Sequence, residues 1–323
     1  MSATPVPSVA ARKRAEELRV HGIAFALMAA VFVVAPLFVY PVFMMKVMCF
    51  ALFACAFNLL IGFGGLLSFG HAMFLGAAGY GSAHAAKVWG FTPELAIVFG
   101  TAVAAVLGIG AGLLAIRRQG IYFAMITLAL AQMVFFFCLQ AKFTGGEDGI
   151  QAVPRGMLFG LIDLKQQLAM YTLVLVIFLS GFGLLYRIVH SPFGQILKAI
   201  RENEQRAISL GYDTDRYKLL AFVLSATLAG LAGATKALVF QLASLTDVHW
   251  SMSGEVVLMT LLGGMGTIFG PVAGAAVIIT MQNYLAQLGA WVTIVQGVIF
   301  VICVLAFRRG IVGEFGAWLK KSF

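Results

Sequence analysis

The side chains that could do chemistry in this sequence are few and widely spaced. His71 follows Ser-Phe-Gly inside a long apolar run, where its imidazole could contact the carboxylate of a substrate or form a hydrogen bond to a neighbouring helix. Glu147 and Asp148 lie between glycines in "TGGEDGI", and their carboxylates could contact a protein partner or only solvate a turn. The ligand spacing of a calcium loop is absent around them. These residues favour binding over catalysis.

The positions of the cysteines argue against a metal site and a disulfide, and the absence of a nucleotide-binding motif argues against ATPase activity. The 4 cysteines lie in apolar runs, without a CxxC pair or histidines at metal spacing. No GxxxxGK[ST] loop is present in the sequence to cradle a nucleotide phosphate. We therefore expect no metal site, no cofactor and no enzymatic activity in this chain. The cysteines are Cys49, Cys55, Cys138 and Cys303.

Two glycine-rich stretches recur in the two halves of the chain, "GFGGLLSFGHAMFLGAAGY" at 62–80 and "LLGGMGTIFGPVAGAAV" at 261–277. Hydrophobic segments that glycines interrupt at matching positions of two halves are typical of a transport pathway, because broken helices offer backbone groups to a polar ligand. The alternative is that the glycines only permit close helix packing. The pathway residues that this pattern predicts are Gly64, Gly65, Ser68, Phe69, His71, Gly263 and Gly264.

The composition predicts that membrane-spanning helices position these residues. With 61% hydrophobic residues, 11% charged residues and a mean hydropathy of +0.97, the chain is a polytopic membrane protein. Stretches without Asp, Glu, Lys or Arg predict an all-α membrane helical bundle of about ten transmembrane segments. About eight or nine are alternatives, because the piece at 255–268 is short and could be re-entrant. The charge-free stretches are 23–45, 47–86, 95–116, 119–141, 166–186, 219–235 and 256–307.

The basic residues predict the orientation in the lipid bilayer. Most of the 22 Lys and Arg residues flank the apolar runs in groups that an even number of crossings separates. By the positive-inside rule these groups lie in the cytoplasm with both termini, and the loop at 141–166 lies outside. The domains are then a cytoplasmic segment at 1–21, a transmembrane domain at 22–310 and a cytoplasmic tail at 311–323. Because the basic residues form no separate domain with interleaved aromatics, we expect no nucleic-acid partner.

The stretch "HSPFGQILKAIRENEQRAISLGYDTDRYK", at 190–218, is the one long polar segment of the sequence. It predicts an amphipathic helix at 193–210. Within a cytoplasmic loop at 187–218, such a helix could dock into the groove of a partner or rest on the membrane surface. If the helix docks, we expect its apolar face with Ile200 to make the decisive contacts, and we expect the charge of Arg201 to matter little.

Six segments together resemble the permease subunits of branched-chain amino-acid ABC transporters, specifically the LivM type. The resemblance covers most of the chain. The segments are "NLLIGFGGLLSFGHAMFLGAAGY" at 58–80, "GIYFAMITLALAQM" at 120–133, "TGGEDGI" at 144–150, "SPFGQILKAIRENEQRAISLGYDTDRYKLLAFVLSATLAGLAGA" at 191–234, "LLGGMGTIFGPVAGA" at 261–275 and "RRGIVG" at 308–313.

The resemblance implies a role for the polar segment as the coupling helix that enters a cleft on an ATPase subunit. The residues that it implies for this contact are Ile200, Arg201, Glu204, Ala207 and Gly211. The run from residue 205 to 207, Gln-Arg-Ala, replaces the Glu-Ala-Ala run of other ABC importers, so only the local family pattern supports the inference.

The resemblance also implies a multi-pass protein of the bacterial inner membrane that forms half of a pore. Its partners would be a LivH-type permease, two ATPase subunits of the LivG and LivF types that bind ATP and Mg, and a periplasmic substrate-binding protein that Glu147 and Asp148 could contact. Transport would proceed by alternating access, with branched-chain amino acids as the family default. The alternative is a facilitative channel or secondary carrier for a small neutral solute such as urea or an amide.

Overall fold

The computed structural model describes residues 9–286, 289, 291–306 and 310–318. The apolar runs fold into α-helices, because a helix satisfies its own backbone hydrogen bonds where water is absent. A π-helical turn, Leu59–Phe63, extends the second helix. Within the described residues the helices are α1 (Val9–Val34), α2 (Pro41–Asn58), α3 (Ala72–Lys87), α4 (Pro93–Ala115), α5 (Ile121–Gln140), α6 (Gln167–His190), α7 (Pro192–Glu202), α8 (Glu204–Ser209), α9 (Thr214–Phe240), α10 (Trp250–Gly263), α11 (Gly270–Leu285), α12 (Trp291–Ala306) and α13 (Gly310–Trp318).

Six helices of the described chain are long and apolar enough to cross a membrane. They are α1, α2 with its π turn, α4, α5, α6 and α9. The other helices that match predicted crossings, α3, α10, α11 and α12, have 14 to 16 residues. At about 1.5 Å per residue they measure roughly 21 to 24 Å, which is less than the hydrocarbon core of about 30 Å. A helical membrane bundle is confirmed, with fewer full-length crossing helices than the sequence predicted.

The breaks between helices fall where proline and glycine predicted them. Pro41 is the first residue of α2 and follows the turn after α1. The backbone leaves helical geometry over 64–71 in the first glycine stretch and over 264–269 in the second. Most of the break predicted at 287–290 lies outside the described residues.

The centre of the bundle is formed by α2 and α9. The small residues of α9 let its backbone approach α3 and α4 closely. A Cβ at Gly233 would lie 1.9 Å from the Leu75 carbonyl oxygen, and one at Gly230 would lie 2.2 Å from the Ala104 Cβ. Most of α2 is buried and packs against α6, α9, α10 and α11. The elements on either side of the first glycine stretch are therefore held in the core.

An antiparallel hairpin of α10 and α11 packs against α2. Its two helices are in backbone contact, since a Cβ at Gly274 would lie 1.8 Å from the Met259 carbonyl oxygen. The second glycine stretch forms the tip of this hairpin, at 264–269. The tip is irregular backbone, so its polar groups need partners outside the hairpin helices.

Four two-residue strands depart from the all-α architecture that the sequence predicted. β1 (Ile150–Gln151) pairs antiparallel with β4 (Leu242–Ala243), and β2 (Met157–Leu158) pairs antiparallel with β3 (Ile162–Asp163). These ladders satisfy backbone groups in the loop at 141–166, which is too rich in glycine and polar residues to form a helix. The ladder with β4 fixes this loop at one end of the bundle, which we call the loop end.

Two side chains fasten the loop to the bundle. The Lys87 ammonium at the end of α3 donates a hydrogen bond to the Gln151 carbonyl oxygen (2.7 Å). The Arg155 guanidinium donates to the Val239 carbonyl oxygen in the last turn of α9 (2.6 Å). The loop is therefore bound to the ends of both helices.

The opposite end of the bundle holds Arg117, Arg118 and the polar segment, and we call it the basic end. α13 also lies there and packs against α10 and α11. A Cβ at Gly310, its first residue, would lie 2.3 Å from the Gly264 Cα. The described part of the segment after residue 310 is thus a packed helix, and the predicted boundary at residue 21 lies inside α1.

Candidate coupling and transport site

The polar segment folds into two short helices, α7 and α8, which together form the coupling segment (192–209). Asn203 separates them with extended backbone (φ −156°, ψ 97°). The Asn203 side chain accepts a hydrogen bond from Arg206 N (3.0 Å) and so caps α8. The continuous helix predicted at 193–210 is wrong, because this asparagine starts a second helix.

The apolar side of α7 faces the bundle. Ile200 is 2% exposed, and Leu197 is fully buried against the chain's own helices. Ala207 of α8 is also buried. The sequence predicted that Ile200 and Ala207 contact an ATPase subunit, whereas both side chains are buried within this chain. Their side chains stabilise the attachment of the coupling segment to its own bundle.

Glu204 is also engaged within the chain. Its carboxylate forms an ion pair with Lys218 (2.5 Å) and accepts a hydrogen bond from Thr214 Oγ1 (3.3 Å). The side chain of Lys218 is only 4% exposed, so the pair ties the start of α8 to the first turns of α9. Glu204 therefore positions α8 and does not extend from the surface.

The exposed apolar side chains of this region lie on α8 and in the turn after it. Ile208, Leu210 and Tyr212 are 48%, 70% and 40% exposed. Gly211 lies between them with a φ of +88°, a conformation that glycine adopts without strain. We call Ile208, Leu210 and Tyr212 the apolar patch. Neighbouring exposed apolar side chains of this kind are suited to a contact with another protein.

Arg201 reaches from α7 to both glycine stretches. Its Nη1 donates a hydrogen bond to the Gly62 carbonyl oxygen in the π turn. A Cβ at Gly65, which has a φ of +70°, would lie 3.0 Å from Arg201 Cγ, so the arginine stem packs on this glycine. A Cβ at Gly266 would lie 3.4 Å from Arg201 Nη1. The guanidinium thus lies where the broken ends of two elements meet, and a charged donor there strengthens the bond to the carbonyl.

Asn58 joins the two glycine stretches directly. This fully buried side chain of α2 donates a hydrogen bond to the Thr267 carbonyl oxygen (2.8 Å) and accepts one from Gly266 N (3.0 Å). Both partners belong to the irregular hairpin tip, which has no helical hydrogen bonds of its own to satisfy them. The residues that meet here are called the glycine junction: Asn58, Gly62, Gly65, Arg201, Gly266 and Thr267.

The remaining glycines predicted for the pathway lie beside this junction. Gly64 follows the π turn, and a Cβ there would lie 3.7 Å from Leu197 Cδ1 of α7. Gly263 ends α10 with no room for a side chain, since a Cβ would lie 1.9 Å from the Gly270 carbonyl oxygen. Gly264 follows with a φ of +125°. The two stretches that the sequence singled out therefore meet in the structure.

His71 forms a buried contact between helices. The side chain is fully buried, and its Nε2 lies 2.9 Å from Ser225 Oγ of α9. The imidazole also packs edge-on against the rings of Phe57 and Phe74, with centroids 5.2 and 5.4 Å away. Of the two interpretations that the sequence allowed, the hydrogen bond to a neighbouring helix is the one observed.

Ser68 and Phe69 lie in the irregular part of the first glycine stretch. Ser68 is fully buried, and its hydroxyl accepts a hydrogen bond from Gly70 N (3.3 Å). Phe69 lines a cavity of about 470 Å³ together with Gly65 and with Phe123 of α5. The open space beside the glycine junction is therefore apolar.

Glu147 and Asp148 are exposed on a 3₁₀ turn at the loop end. Gly145 and Gly149 flank the turn with φ values of +81° and +67°, which lets the chain bend sharply on both sides. Within the described chain, neither carboxylate takes part in an ion pair or a hydrogen bond. The structure presents both charges to the surroundings.

Comparison with known proteins identifies the family. The family described as the permease component of branched-chain amino acid transport systems matches residues 41–304, which include both glycine stretches and the coupling segment. The chain belongs to this permease family. It is a transmembrane pore subunit of an ABC importer.

Individual relatives support the same assignment. The permease is 25% identical over 287 residues to LivM of the high-affinity branched-chain amino acid transport system of Escherichia coli (strain K12), which covers 82% of this chain and 68% of LivM. It is 30% identical over 239 residues to the ribose import permease RbsC of Bacillus subtilis (strain 168), which covers 69% of this chain and 70% of RbsC. No solved structure matches.

Sequence reasoning missed the residue that joins the two stretches. Asn58 is a polar residue in the last turn of α2, about one turn before Gly62, and the helix is apolar between Lys46 and Asn58. A buried amide needs partners for its donor and its acceptor, and this requirement was the signal available in the sequence. Its partners lie more than 200 positions away, with separations of 208 and 209 residues, and no local pattern identifies them.

We expect Asn58→Leu to destabilise the permease, because it leaves Gly266 N and the Thr267 carbonyl oxygen unpaired in the bundle. Each unpaired group costs about 1 to 3 kcal/mol, so the thermal unfolding temperature of the purified complex should fall by several degrees. The matched control is Thr235→Val, which replaces a buried hydroxyl that bonds only to Leu231 in its own helix. Equal unfolding temperatures for the two variants would show that Asn58 does not hold the junction together.

Proposed function

We propose that this permease imports amino acids with aliphatic side chains, driven by ATP hydrolysis on other subunits. The observation that carries the proposal is the contact of Arg201 with both glycine stretches. Arg201 belongs to a segment on the basic end, where an ATPase would bind, and it contacts the points at which the membrane helices are broken. A displacement of the segment therefore acts on the parts of the bundle that can change shape most easily.

The substrate class rests on which relatives match. The LivM protein matches a larger share of this chain than RbsC does, 82% against 69%. Their names assign branched-chain amino acids to one and ribose to the other, so permeases with this architecture handle different solutes. Leucine, isoleucine and valine are the substrates that we propose here, with selection shared with an external binding protein.

We propose ten membrane crossings, about as many as the sequence predicted. The six long helices are joined by α3, α10, α11 and α12, and the irregular segments at the glycine junction complete the shorter ones. With the basic end in the cytoplasm, the positive-inside rule is met and both termini are cytoplasmic. The loop end then faces the periplasm across the bacterial inner membrane.

The complete machine would contain a second permease of the LivH type and two ATPase subunits of the LivG and LivF types. ATP with Mg would close the ATPase dimer, and this closure would move the coupling segment. Arg201 would transmit the movement to the π turn and the hairpin tip, and the pore would change its access from one side of the membrane to the other. All ATP chemistry takes place on the partner subunits.

The ATPase contact would lie on the apolar patch and Gly211. The predicted anchor Ile200 is buried, whereas Leu210 is 70% exposed. Exposed apolar side chains gain more from docking than residues that are already buried, because docking removes their surface from water. Ile200, Glu204 and Ala207 would then support the contact from inside, by fixing the position of α7 and α8.

The contact with the binding protein would lie at the loop end. Glu147 and Asp148 are exposed on a turn that the β1–β4 ladder and the Lys87 hydrogen bond fix to the bundle. Fixed carboxylates on a rigid loop can meet basic residues of a docking protein with little loss of conformational entropy.

A facilitative channel or secondary carrier is not favoured, because the chain matches a family described as the permease component of a branched-chain amino acid transport system, which is one part of a larger assembly. The two classes differ in their energy source. Uptake that requires ATP hydrolysis would agree with the importer, and uptake that follows an ion gradient without ATP would agree with the carrier.

Arg201→Ala should reduce ATP-dependent leucine uptake at least about tenfold, since a hydrogen bond from a charged donor contributes about 1.5 to 3 kcal/mol. The ATPase subunits should still co-purify, because the apolar patch is unchanged. Uptake and ATP hydrolysis are measured in proteoliposomes with the complete complex. The control is Arg216→Ala, whose side chain is 86% exposed and pairs only with the exposed Asp213. Normal uptake by Arg201→Ala would exclude transmission through this side chain.

Leu210→Glu should abolish co-purification of the ATPase subunits and leave membrane insertion unchanged, because it places a charge in a contact that must lose its water. Gln205→Glu is the matched control, since it adds the same charge to an exposed polar position of α8. ATPase recovery after affinity purification of the permease gives the measurement. Full recovery with Leu210→Glu would move the docking surface away from the apolar patch, and altered lipid association instead would support a membrane-surface role.

A further inference from the structure

Charged side chains converge inside the bundle near the loop end, far from the glycine junction along α2. Lys46, Lys236 and Glu255 each lie about one turn inside α2, α9 and α10, and Asp247 lies on the connection between the latter two. Charged groups at membrane depth are costly and face the interior or a water-filled path. Their convergence from separate elements therefore requires an explanation.

One pair of these charges satisfies itself. The Lys236 ammonium forms an ion pair with the Asp247 carboxylate, and their side chains are 15% and 11% exposed. The same ammonium lies over the rings of Phe50 and Phe240, 5.4 and 5.9 Å from their centroids. The ion pair and the ring contacts fix the position of the Lys236 side chain, so the Lys236–Asp247 pair is the rigid part of the cluster.

The other two charges are only partly satisfied. Glu255 Oε2 accepts a hydrogen bond from the Gln282 side-chain amide of α11 (3.0 Å), which orients the carboxylate. Lys46 lies one helical turn before Phe50 on α2, and the Lys236 ammonium lies over the ring of Phe50, so Lys46 is on the same side of α2 as the cluster. Within the described chain the Lys46 ammonium donates no hydrogen bond. An ammonium and an oriented carboxylate thus remain able to bind a ligand beside a neutral pair.

We propose that Lys46 and Glu255 bind the carboxylate and the ammonium of a zwitterionic amino acid as it passes through the loop end of the permease. Two positive and two negative side chains give the cluster no net charge, which matches a ligand with one charge of each sign. The hydrogen bond from Gln282 orients the Glu255 carboxylate toward the ligand. Because Asp247 is already paired with Lys236, Lys46 does not form an ion pair with it. A neutral sugar such as ribose offers no charges to this arrangement.

The inference rests on the proposed function, since it assumes that the permease carries amino acids. It adds the residues that recognise the charged part common to all of them. Aliphatic side chains would then be selected elsewhere, by the binding protein or by apolar surfaces of the pore. The carboxylate and ammonium each make charge-assisted hydrogen bonds, which are the strongest polar contacts available to such a ligand.

The test compares Lys46→Gln and Glu255→Gln with the unmodified complex, reconstituted with its ATPase subunits and binding protein. Radiolabelled leucine uptake should fall at least about tenfold in each variant, because each loses one charged contact of about 1.5 to 3 kcal/mol. Stimulation of ATP hydrolysis by the leucine-loaded binding protein and the thermal unfolding temperature should stay unchanged. Lys46→Arg should retain most of the uptake, and Lys142→Gln, an exposed change at the loop end, should have no effect.

Four results would overturn the zwitterion site. Uptake that stays normal in both variants would exclude a contact with the substrate. A parallel loss of ATPase stimulation would show that the charges dock the binding protein, and a parallel fall in unfolding temperature would assign them to the fold. If the unmodified complex hydrolyses ATP but takes up no leucine, isoleucine or valine, the proposed function itself fails and the site fails with it. Because this last result is measured on the unmodified complex, it is distinguished from the results on the variants.

Discussion

A broken helix inside a membrane leaves backbone groups that cannot turn to water, and this constraint determines how the rest of the permease is arranged. The chain is broken at 64–71 and at 264–269, and the two breaks are placed against each other. Asn58 supplies both a donor and an acceptor to the second break, and Arg201 supplies a charged donor to the π turn at the first. The glycines permit the close approach, and the two polar side chains make it stable.

This arrangement brings the coupling segment into direct contact with the breaks in the membrane helices. α7 buries its apolar side against the bundle and directs Arg201 to the junction, while Glu204 ties α8 to α9 through Lys218. The contacts that join the coupling segment, the π turn and the hairpin tip are therefore costly in free energy to break. If an ATPase docks on the apolar patch, as we propose, these three elements are expected to move as one body. α9 is packed tightly through glycine and alanine, so it supplies the rigid reference for that movement.

Much of the helical layout could be predicted, because the absence of charge over long runs determines where helices can lie in a membrane. The breaks at Pro41, in the first glycine stretch and in the hairpin tip followed from proline and glycine. The lengths of the helices were harder to predict. The uncharged run at 256–307 has 52 residues, and its sequence does not show where irregular backbone divides it into helices. The β1–β4 ladder at the loop end depends on pairing between residues about 90 positions apart, which no local signal specifies.

The orientation of the coupling segment shows what sequence reasoning lacked. A strongly amphipathic pattern identifies an apolar face on α7, but it does not say whether that face meets a partner or the chain's own bundle. Ile200 was therefore expected on the partner surface and is instead 2% exposed, and the charge of Arg201 was expected to matter little. Lys46 and Glu255 were passed over because each borders an apolar run. Only the packing of α2 against α10 and α11 brings them together.

The most direct test of the account measures whether the coupling segment and the hairpin tip move as one body. Spin labels at Gln195 and Met265, both exposed, report this separation in the assembled complex that carries Cys303→Ser. Cys49, Cys55 and Cys138 are buried and do not compete for label. We predict the same distance distribution in the nucleotide-free and ATP-bound states, and a broader distribution in both states for Arg201→Ala. A separation that shifts with ATP in the unmodified permease, with no effect of Arg201→Ala, would contradict the account.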